Sequence, residues 1–374
     1  MTGTLMDPDT PFLAVDPATV QANIRRLRQH LDGLGVTLRT HVKTAKSVAV
    51  AALHDEGRPH PITVSTLAEA EAFADAGYRD IVYAVGIDPH KLPRVAALRA
   101  RGVDLVALLD SVEQAAALPA GLPALIEVDC DGHRGGVQHD DPALLQIART
   151  LVDGGAELRG VLLHAGESYY AIGDDALRAA AENERLTAVR AAEALRAAGH
   201  DVPVVSVGST PTAHFAADLT GVTEVRAGNF VFFDLVMAGI GVCSLDDLAL
   251  TVITTVIGHR PDKGWILTDG GWMATSRDRG TSRQRVDQGY GLVTNLDGHP
   301  YADLLMTDAS QEHGVLSVRP GSSATLPDLP VGTRVRILPN HACATAAQHD
   351  HYQVTDPESP DHAIRAVWPR VRGW

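Results

Sequence analysis

Segments rich in β-branched residues alternate with amphipathic helical segments over most of this chain, and this alternation constrains the fold more than any other feature. Eight strands are predicted, at Val36–Thr40, Ile62–Thr66, Asp80–Val85, Asp104–Asp110, Ala124–Asp129, Leu158–Ala165, Val204–Gly208 and Thr223–Arg226. Helices are predicted between them, at Pro17–Leu34, Ala45–Asp55, Leu67–Ala76, Lys91–Ala100, Ser111–Ala117, Pro142–Gly154, Asp175–Ala198 and Thr212–Asp218. Eight strands alternating with helices predict an α/β protein with a (β/α)8 TIM barrel. An open doubly wound sheet is the alternative, and the count of eight strands disfavours it.

The pattern changes at about Leu248. Strand-like segments then follow with Gly and Pro between them and little helical periodicity, at Thr251–Ile257, Trp265–Thr268, Gly314–Val318 and Arg334–Leu338. We therefore expect a barrel over residues 17–247 and a second, mainly β C-terminal domain over residues 248–374. An early strand, Pro11–Val15, precedes the first barrel helix and is expected to pair with the β domain, so residues 1–16 are assigned to that domain.

Composition excludes several classes of protein. The 374 residues carry a formal net charge of −14 and no basic cluster, which argues against nucleic-acid binding and against an anionic membrane surface. No apolar run has the length of a membrane span, and the N-terminus lacks the pattern of a secretory signal. Three cysteines without framework spacing are typical of reduced thiols, so we expect a cytoplasmic protein.

Lys43 is the first candidate catalytic residue. It lies in Arg-Thr-His-Val-Lys-Thr-Ala-Lys-Ser at residues 39–47, between the first predicted strand and the next helix. A lysine at the carboxyl end of a barrel strand is well placed to form a Schiff base with a carbonyl cofactor. Taken alone, the same lysine is also consistent with a solvated position at a helix start.

Two further motifs suggest binding sites. Ser209 and Thr210 follow a strand in Gly-Ser-Thr-Pro-Thr, where backbone N–H groups at a helix start suit a phosphate, although an ordinary helix cap has the same pattern. His341 and Cys343 follow a strand, and in a continued extended conformation both side chains would lie on one face and hold one ion. Imidazole and thiolate suit zinc, and manganese or another divalent ion is the alternative. A buried cysteine beside a histidine, or a metal pair at His349 and His351, are the competing interpretations.

In the order of these motifs the chain resembles the fold-type III pyridoxal-phosphate enzymes, the alanine-racemase group. Within that group it resembles the metal-activated branch of D-serine dehydratases, D-threo-3-hydroxyaspartate dehydratases and D-threonine aldolases. The resemblance implies pyridoxal 5'-phosphate (PLP) as cofactor, with Lys43 as the Schiff-base lysine, and we expect a homodimer. It also implies cofactor contacts from residues near the strand ends, namely Arg134, His164, Ser209, Thr210, Arg226, Gly228 and Asn229. Tyr169 and Tyr170 lie in a loop expected to face the substrate, and the sequence leaves open which of them points inward.

The expected function follows from this resemblance. Arg226 matches the position that meets the pyridine nitrogen in the racemases, which would make the cofactor a weaker electron sink and leave the reaction in need of a metal. Zinc that holds a β-hydroxyl stabilises its departure as hydroxide. We therefore expect dehydration of a small D-3-hydroxyamino acid, D-serine or D-threo-3-hydroxyaspartate, to a 2-oxo acid and ammonia. The alternatives are a D-threonine aldolase, whose relatives typically place Asp where Cys343 stands, an amino-acid racemase, and a non-enzymatic PLP carrier.

Overall fold

A computed structural model of the chain describes residues 3–55, 57–356, 359 and 362–374. The described chain begins with two strands, β1 (Gly3–Thr4) and β2 (Phe12–Val15), and helix α1 (Pro17–Gly33). The chain folds into two compact units, one within Met1–Asn23 and Asn229–Arg370 and the other within Ile24–Gly228 and Val371–Trp374. Helix α1 is therefore divided between the units, whereas we placed the domain boundaries at residues 17 and 247.

The unit Ile24–Gly228 is a closed barrel of eight parallel strands, as the alternation predicts. Its strands are β3 (Thr37–His41), β4 (Ile62–Val64), β5 (Asp80–Gly86), β6 (Asp104–Leu109), β7 (Pro123–Val128), β8 (Glu157–Leu163), β9 (Val204–Val207) and β10 (Glu224–Ala227). The helices between them are α2 (Val48–Ala52), α3 (Leu67–Asp75), α4 (Leu92–Ala100), α5 (Val112–Ala117), α6 (Pro142–Asp153), α7 (Asp174–Ala197) and α8 (Thr210–Phe215). Short 3₁₀ turns lie at Pro89–Lys91 and Gly166–Tyr170.

Strands β10 and β3 close the barrel by pairing in parallel, and Arg226 lies opposite Arg39 in that register. Most of the strands are buried because helices cover the sheet, and they read as apolar runs, whereas β3 and β10 contain several polar residues. Val82, Val106 and Leu125 belong to one cluster of this core. The carboxyl ends of all eight strands lie at one end of the barrel, where the loops that follow them meet.

Two barrel helices begin two or three residues away from their predicted starts. Helix α2 begins at Val48 rather than Ala45, because Lys46 has a positive φ of 46° and Ser47 is extended. Helix α8 begins at Thr210 rather than Thr212, because Ser209 caps it and Pro211 occupies its first turn. Both shifts concern segments that carry candidate functional residues.

The other unit is built mainly of β-strands. Its C-terminal strands are β11 (Leu250–Arg260), β12 (Trp265–Thr268), β13 (Gly291–Thr294), β14 (Pro300–Ala309), β15 (Gly314–Val318), β16 (Arg334–Pro339), β17 (His351–Thr355) and β18 (Ala363–Pro369). Its helices are α9 (Leu235–Gly239), α10 (Trp272–Thr275) and α11 (Ala342–Ala346), with 3₁₀ turns at Asn229–Val231, Leu245–Asp247 and Gly280–Arg283.

Together with β1 and β2, these eight strands form one sheet in the order β1-β18-β17-β2-β11-β12-β15-β14-β13-β16. Strand β16 also pairs with β11, so the six strands from β11 to β16 form a closed ring of antiparallel strand pairs. Strand β2 pairs with β11 as expected, and its Phe12 packs in a cluster with Leu5 and Ile253. Among the described helices, none combines membrane-spanning length with the required apolarity.

Candidate active site

Lys43 lies in the turn that follows strand β3, at the carboxyl end of the barrel. His41 ends that strand, and His164 follows strand β8. Burial lowers the pKa of His41 well below 6.5, and the nearby Lys43 charge lowers it further. Burial and Lys43 act in the same way on the pKa of His164. The structure therefore brings Lys43 together with two neutral imidazoles.

The orientation of His164 is fixed by the next strand. Its Nδ1–H donates to the carbonyl oxygen of Gly208 at 3.1 Å, which leaves Nε2 unprotonated. Tyr169 lies beside this imidazole, with its ring centroid 6.2 Å away, whereas Tyr170 is 44% exposed. Of the two candidate tyrosines, Tyr169 is thus the one that faces the cluster around Lys43.

Arg226 places a cation inside the barrel. It is almost fully buried, its Nε donates to Ser206 Oγ at 2.8 Å, and its Nη2 donates to the Leu163 carbonyl oxygen. Burial lowers the pKa of Arg226 to about 10, and the charge of Glu184 opposes that shift. The guanidinium therefore remains protonated at neutral pH and is held by two neighbouring strands.

Arg134 lies in the loop after strand β7. Two glycines with positive φ shape this loop, and a Cβ at Gly136 would lie only 2.7 Å from the backbone nitrogen of Asp129. The guanidinium of Arg134 is 3.6 Å from Glu127 Oε1 and more than half exposed. Its charge also contributes to the lowered pKa of His164, so Arg134 borders the same cluster.

The proposed phosphate loop is more internally bonded than its sequence suggests. Ser209 and Thr212 form a capping box, in which Ser209 Oγ accepts from Thr212 N and Thr212 Oγ1 accepts from Ser209 N. The Gly208 N–H donates to the buried carboxylate of Glu184 at 3.0 Å. The N–H groups of Gly208, Ser209 and Thr212 therefore already have acceptors within the protein, so this loop offers a phosphate fewer backbone donors than its sequence suggests.

Gly228 follows strand β10 and lies close to the turn that carries Lys43. A Cβ at Gly228 would lie 2.7 Å from the His41 carbonyl oxygen and 3.2 Å from Thr44 Oγ1. Only glycine lets the backbone approach that closely.

Asn229 begins the other compact unit and is buried. A buried cation, a neutral imidazole with a fixed tautomer and a glycine-lined strand end are together the groups that a phosphorylated pyridine aldehyde needs, so the barrel residues fit PLP.

His341 and Cys343 occupy a strand-to-helix turn rather than a continued strand. Strand β16 ends at Pro339, His341 is the N-cap of helix α11, and Cys343 lies in its first turn. The expectation that the strand continues was therefore wrong. The two side chains still meet through a side-chain hydrogen bond. Burial lowers the pKa of His341, but the charge of Cys343 and the hydrogen bonds that His341 makes with Asp278 and Cys343 raise it well above 6.5.

Asp278 completes the surroundings of His341. Its Oδ2 accepts from His341 Nδ1–H at 2.6 Å, which leaves Nε2 to face Cys343 or a metal. Among the described residues no group of three or more His, Cys, Asp and Glu side chains has metal-binding geometry, so the candidate is a pair. In the competing pair, His349 Nε2–H donates to the Ala274 carbonyl oxygen at 2.9 Å, and His351 is exposed on strand β17.

Four residues of these sites were missed by the sequence analysis. His41 carried a usable signal, because it lies two positions before Lys43 on the same strand end. Asp234, whose Oδ2 accepts from the backbone N–H of Ala342 between His341 and Cys343, had a weaker signal, as an aspartate immediately before an apolar helix. Glu184 and Asp278 had none, since each meets its partners only through the tertiary fold.

Comparisons with known proteins show which family the chain resembles. Two family models match, the putative serine dehydratase domain over residues 249–355 and the N-terminal domain of alanine racemase over residues 15–236. A D-threo-3-hydroxyaspartate dehydratase of Delftia sp. (strain HT23) is 53% identical and is covered, like this chain, over 100% of its length. A D-serine dehydratase of Dictyostelium discoideum is 28% identical over 92% of this chain and 93% of its own. A 3-hydroxy-D-aspartate aldolase of Paracoccus denitrificans (strain Pd 1222) is 26% identical over 96% of this chain and 91% of its own.

Solved structures of D-threo-3-hydroxyaspartate dehydratase also resemble this chain. Two of them match at TM-scores of 0.96 and 0.95 with 52% identity, over 100% of this chain and 98% and 100% of theirs. One is a variant with alanine in place of a histidine. The other has alanine in place of a cysteine two positions later and is described as the metal-free form. The spacing of the replaced residues equals the spacing of His341 and Cys343.

Proposed function

Since this chain belongs to the alanine-racemase-like, fold-type III family of PLP enzymes, in its branch of D-serine dehydratases and D-threonine aldolases, we propose that it is a zinc-dependent dehydratase of D-3-hydroxyamino acids. The preferred substrate in this proposal is D-threo-3-hydroxyaspartate, which would give oxaloacetate and ammonia. The observation that carries the proposal is the contact between His341 and Cys343, with Asp278 behind the imidazole, in a chain 53% identical to a dehydratase of that substrate.

The barrel residues would hold the cofactor. Lys43 would carry its aldehyde carbon, the Ser209 and Thr210 turn and the backbone at Gly228 and Asn229 its phosphate, and Arg134 its phenolic oxygen. PLP supplies an electron sink for the negative charge that develops at the substrate α-carbon. Arg226, which is protonated at neutral pH, would donate a hydrogen bond to the pyridine nitrogen and thereby keep that nitrogen unprotonated.

Two side chains of the barrel would act on the substrate directly. Once the substrate amine has displaced it, Lys43 Nζ would accept the proton from the α-carbon. Tyr169, the tyrosine beside His164, would lie on the substrate side of the cluster and help to orient the substrate. His164 remains neutral, because burial and Lys43 lower its pKa, so it would pack against the cofactor ring without adding charge.

The β unit would supply the metal ligands. His341 Nε2 and Cys343 Sγ would bind the ion, and Asp278 would hold the imidazole in the tautomer that leaves Nε2 available. Zinc is a Lewis acid that stabilises hydroxide as it leaves the substrate β-carbon, and two protein ligands leave coordination positions for it.

Product analysis tests the proposal. The holoenzyme is incubated with D-threo-3-hydroxyaspartate, D-serine and D-threonine, with and without chelator. We expect chelator-sensitive release of ammonia with oxaloacetate, pyruvate and 2-oxobutanoate respectively, fastest from the first substrate. Glycine with glyoxylate or acetaldehyde would instead identify an aldolase, and PLP binding without turnover of any substrate would identify a carrier. The matched control is Lys43→Ala, which should abolish turnover of all three substrates.

We also propose that the enzyme is a cytoplasmic homodimer. The proposal rests on the family resemblance and on the three cysteines, none of which forms a disulfide. Light scattering on the purified holoenzyme, with a mass of about twice the 39.6 kDa of one chain, would support the dimer.

A further inference from the structure

Asp234 is a fully buried carboxylate with three hydrogen-bond donors. It is the N-cap of helix α9, and its Oδ1 accepts from the backbone N–H of Met237 at 3.0 Å. Its Oδ2 accepts from Asn229 Nδ2 at 2.5 Å and from the backbone N–H of Ala342 at 2.9 Å. A carboxylate at 0% exposure is costly to bury unless such donors compensate for lost water.

The two donors to Oδ2 belong to different functional segments. Asn229 follows Gly228, in the turn proposed to hold the cofactor phosphate. Ala342 lies between His341 and Cys343, the proposed metal ligands. Capping helix α9 requires only Oδ1. The second carboxylate oxygen, Oδ2, accepts one hydrogen bond from each of the two segments and so connects them.

We propose that Asp234 is a positioning residue that makes cofactor binding and metal binding cooperative. The proposal rests on the proposed function, because it assumes that phosphate binds beside Asn229 and zinc binds at His341 and Cys343. Phosphate would order the Asn229 turn and so fix the donor to Asp234 Oδ2. Asp234 would then already be in place for the N–H of Ala342, and the turn that carries both ligands would lose less conformational freedom when zinc binds.

Thermodynamic linkage makes the proposal measurable. If PLP strengthens zinc binding by some factor, zinc must strengthen PLP binding by the same factor. Zinc affinity is measured by chelator competition on the holoenzyme and on protein stripped of PLP. PLP affinity is measured by absorbance titration of zinc-loaded and zinc-free protein. We expect both routes to give about the same coupling factor, roughly tenfold, within the range of allosteric couplings.

Two variants test the role of Asp234. Asp234→Asn keeps the volume but places an amide where one carboxylate oxygen stood, and the coupling factor should fall below about twofold. Asn229→Ala removes only the side-chain donor and leaves the backbone N–H and the Asp234–Ala342 bond. It should abolish coupling while zinc affinity in the absence of PLP stays at the wild-type value. This second variant decides the question if Asp234→Asn does not fold.

The control is Asp269→Asn, another carboxylate of the same unit that accepts from Thr254 Oγ1 and Thr255 N. It should lower the stability of the protein but keep the full coupling factor. If Asp234 had a merely structural role, both variants would change the coupling factor in the same way. Coupling that persists in Asn229→Ala, or wild-type protein that binds both ligands without coupling, would overturn the inference alone. Wild-type protein that binds neither PLP nor zinc would overturn the proposed function and this inference with it.

Discussion

Replacing Asp278 with asparagine should weaken zinc binding about tenfold without changing PLP affinity. Asp278 Oδ2 lies 2.6 Å from His341 Nδ1, and the two side chains are 40% and 36% exposed. A hydrogen bond to a charged group contributes about 1.5–3 kcal/mol net. Water screens a pair this exposed, and asparagine still accepts the hydrogen bond through its oxygen, so the lower end applies. A loss of about 1.4 kcal/mol in the free energy of zinc binding lowers the zinc affinity by a factor of about ten, which is the smallest effect typical of residues that orient metal ligands.

Chelator competition on the holoenzyme measures this change, with PLP content read from cofactor absorbance. The matched control is Asp287→Asn, which removes a carboxylate that accepts from Arg279 in the same segment but does not touch His341. That variant should bind zinc as the wild type does. Unchanged zinc affinity in Asp278→Asn, or an equal loss in both variants, would refute the role assigned to Asp278.

Three further outcomes are expected. Borohydride reduction of the holoenzyme followed by peptide mapping should place the pyridoxyl group on Lys43, and its recovery on Lys46 would contradict the assignment. Metal analysis of Cys343→Ala should show lost zinc with PLP retained, whereas His349→Ala should keep both, and the reverse pattern would exchange the proposed ligands. Gly228→Ala introduces a Cβ 2.7 Å from a carbonyl oxygen, so PLP affinity should fall at least about tenfold, and wild-type affinity would exclude this strand end from the cofactor site.

The barrel was predictable because most of its strands are apolar runs between helical segments, and burial on both faces favours such runs. Strands β3 (Thr37–His41) and β10 (Glu224–Ala227) are the polar exceptions. Strands β13, β14, β17 and β18 were not predicted, and β14 shows one reason. Strand β14, Pro300–Ala309, contains Asp303 and Asp308 and is buried only between them, at residues 304–306. Antiparallel strands with one solvated face tolerate such residues, so their identity depends on partners elsewhere in the chain.

The candidate site was predictable where the chain itself carries the information. Lys43 and His164 follow barrel strands and Arg226 lies one residue before the end of β10, and topology alone places the ends of parallel strands together. The contact between Asp278 and His341 joins residues 63 positions apart, and the bond from Ala342 to Asp234 spans 108 positions. No local pattern specifies such contacts. The turn at His341 was also unpredictable from strand alternation, because it is the helix start that brings Cys343 back toward the imidazole.

Glu184 on helix α7 is the residue whose removal should most disturb the phosphate loop. Its Oε1 accepts from the backbone N–H groups of Ala165 and Gly208, and its Oε2 accepts from Thr212 Oγ1 at 2.7 Å. Glu184→Ala leaves three buried donors without this acceptor, each costing about 1–3 kcal/mol if it finds no other partner. We expect a loss of about 3 kcal/mol or more in the free energy of unfolding, together with weaker PLP binding.

Glu184→Gln provides the matched variant, because an amide oxygen still accepts both N–H groups and the amide nitrogen can donate to Thr212 Oγ1. Burial raises the pKa of Glu184 above its ordinary value of 4.5. Between the ordinary pKa of the unfolded state and the raised pKa of the native state, the native state binds more protons than the unfolded state. The wild type therefore loses stability as pH rises through this range, whereas glutamine does not titrate. Urea unfolding should therefore find Glu184→Gln gaining stability relative to the wild type as pH increases from 4 toward 7. A relative loss over that range would mean that Arg226 and the three donors outweigh burial, and that Glu184 is held as a stabilising anion.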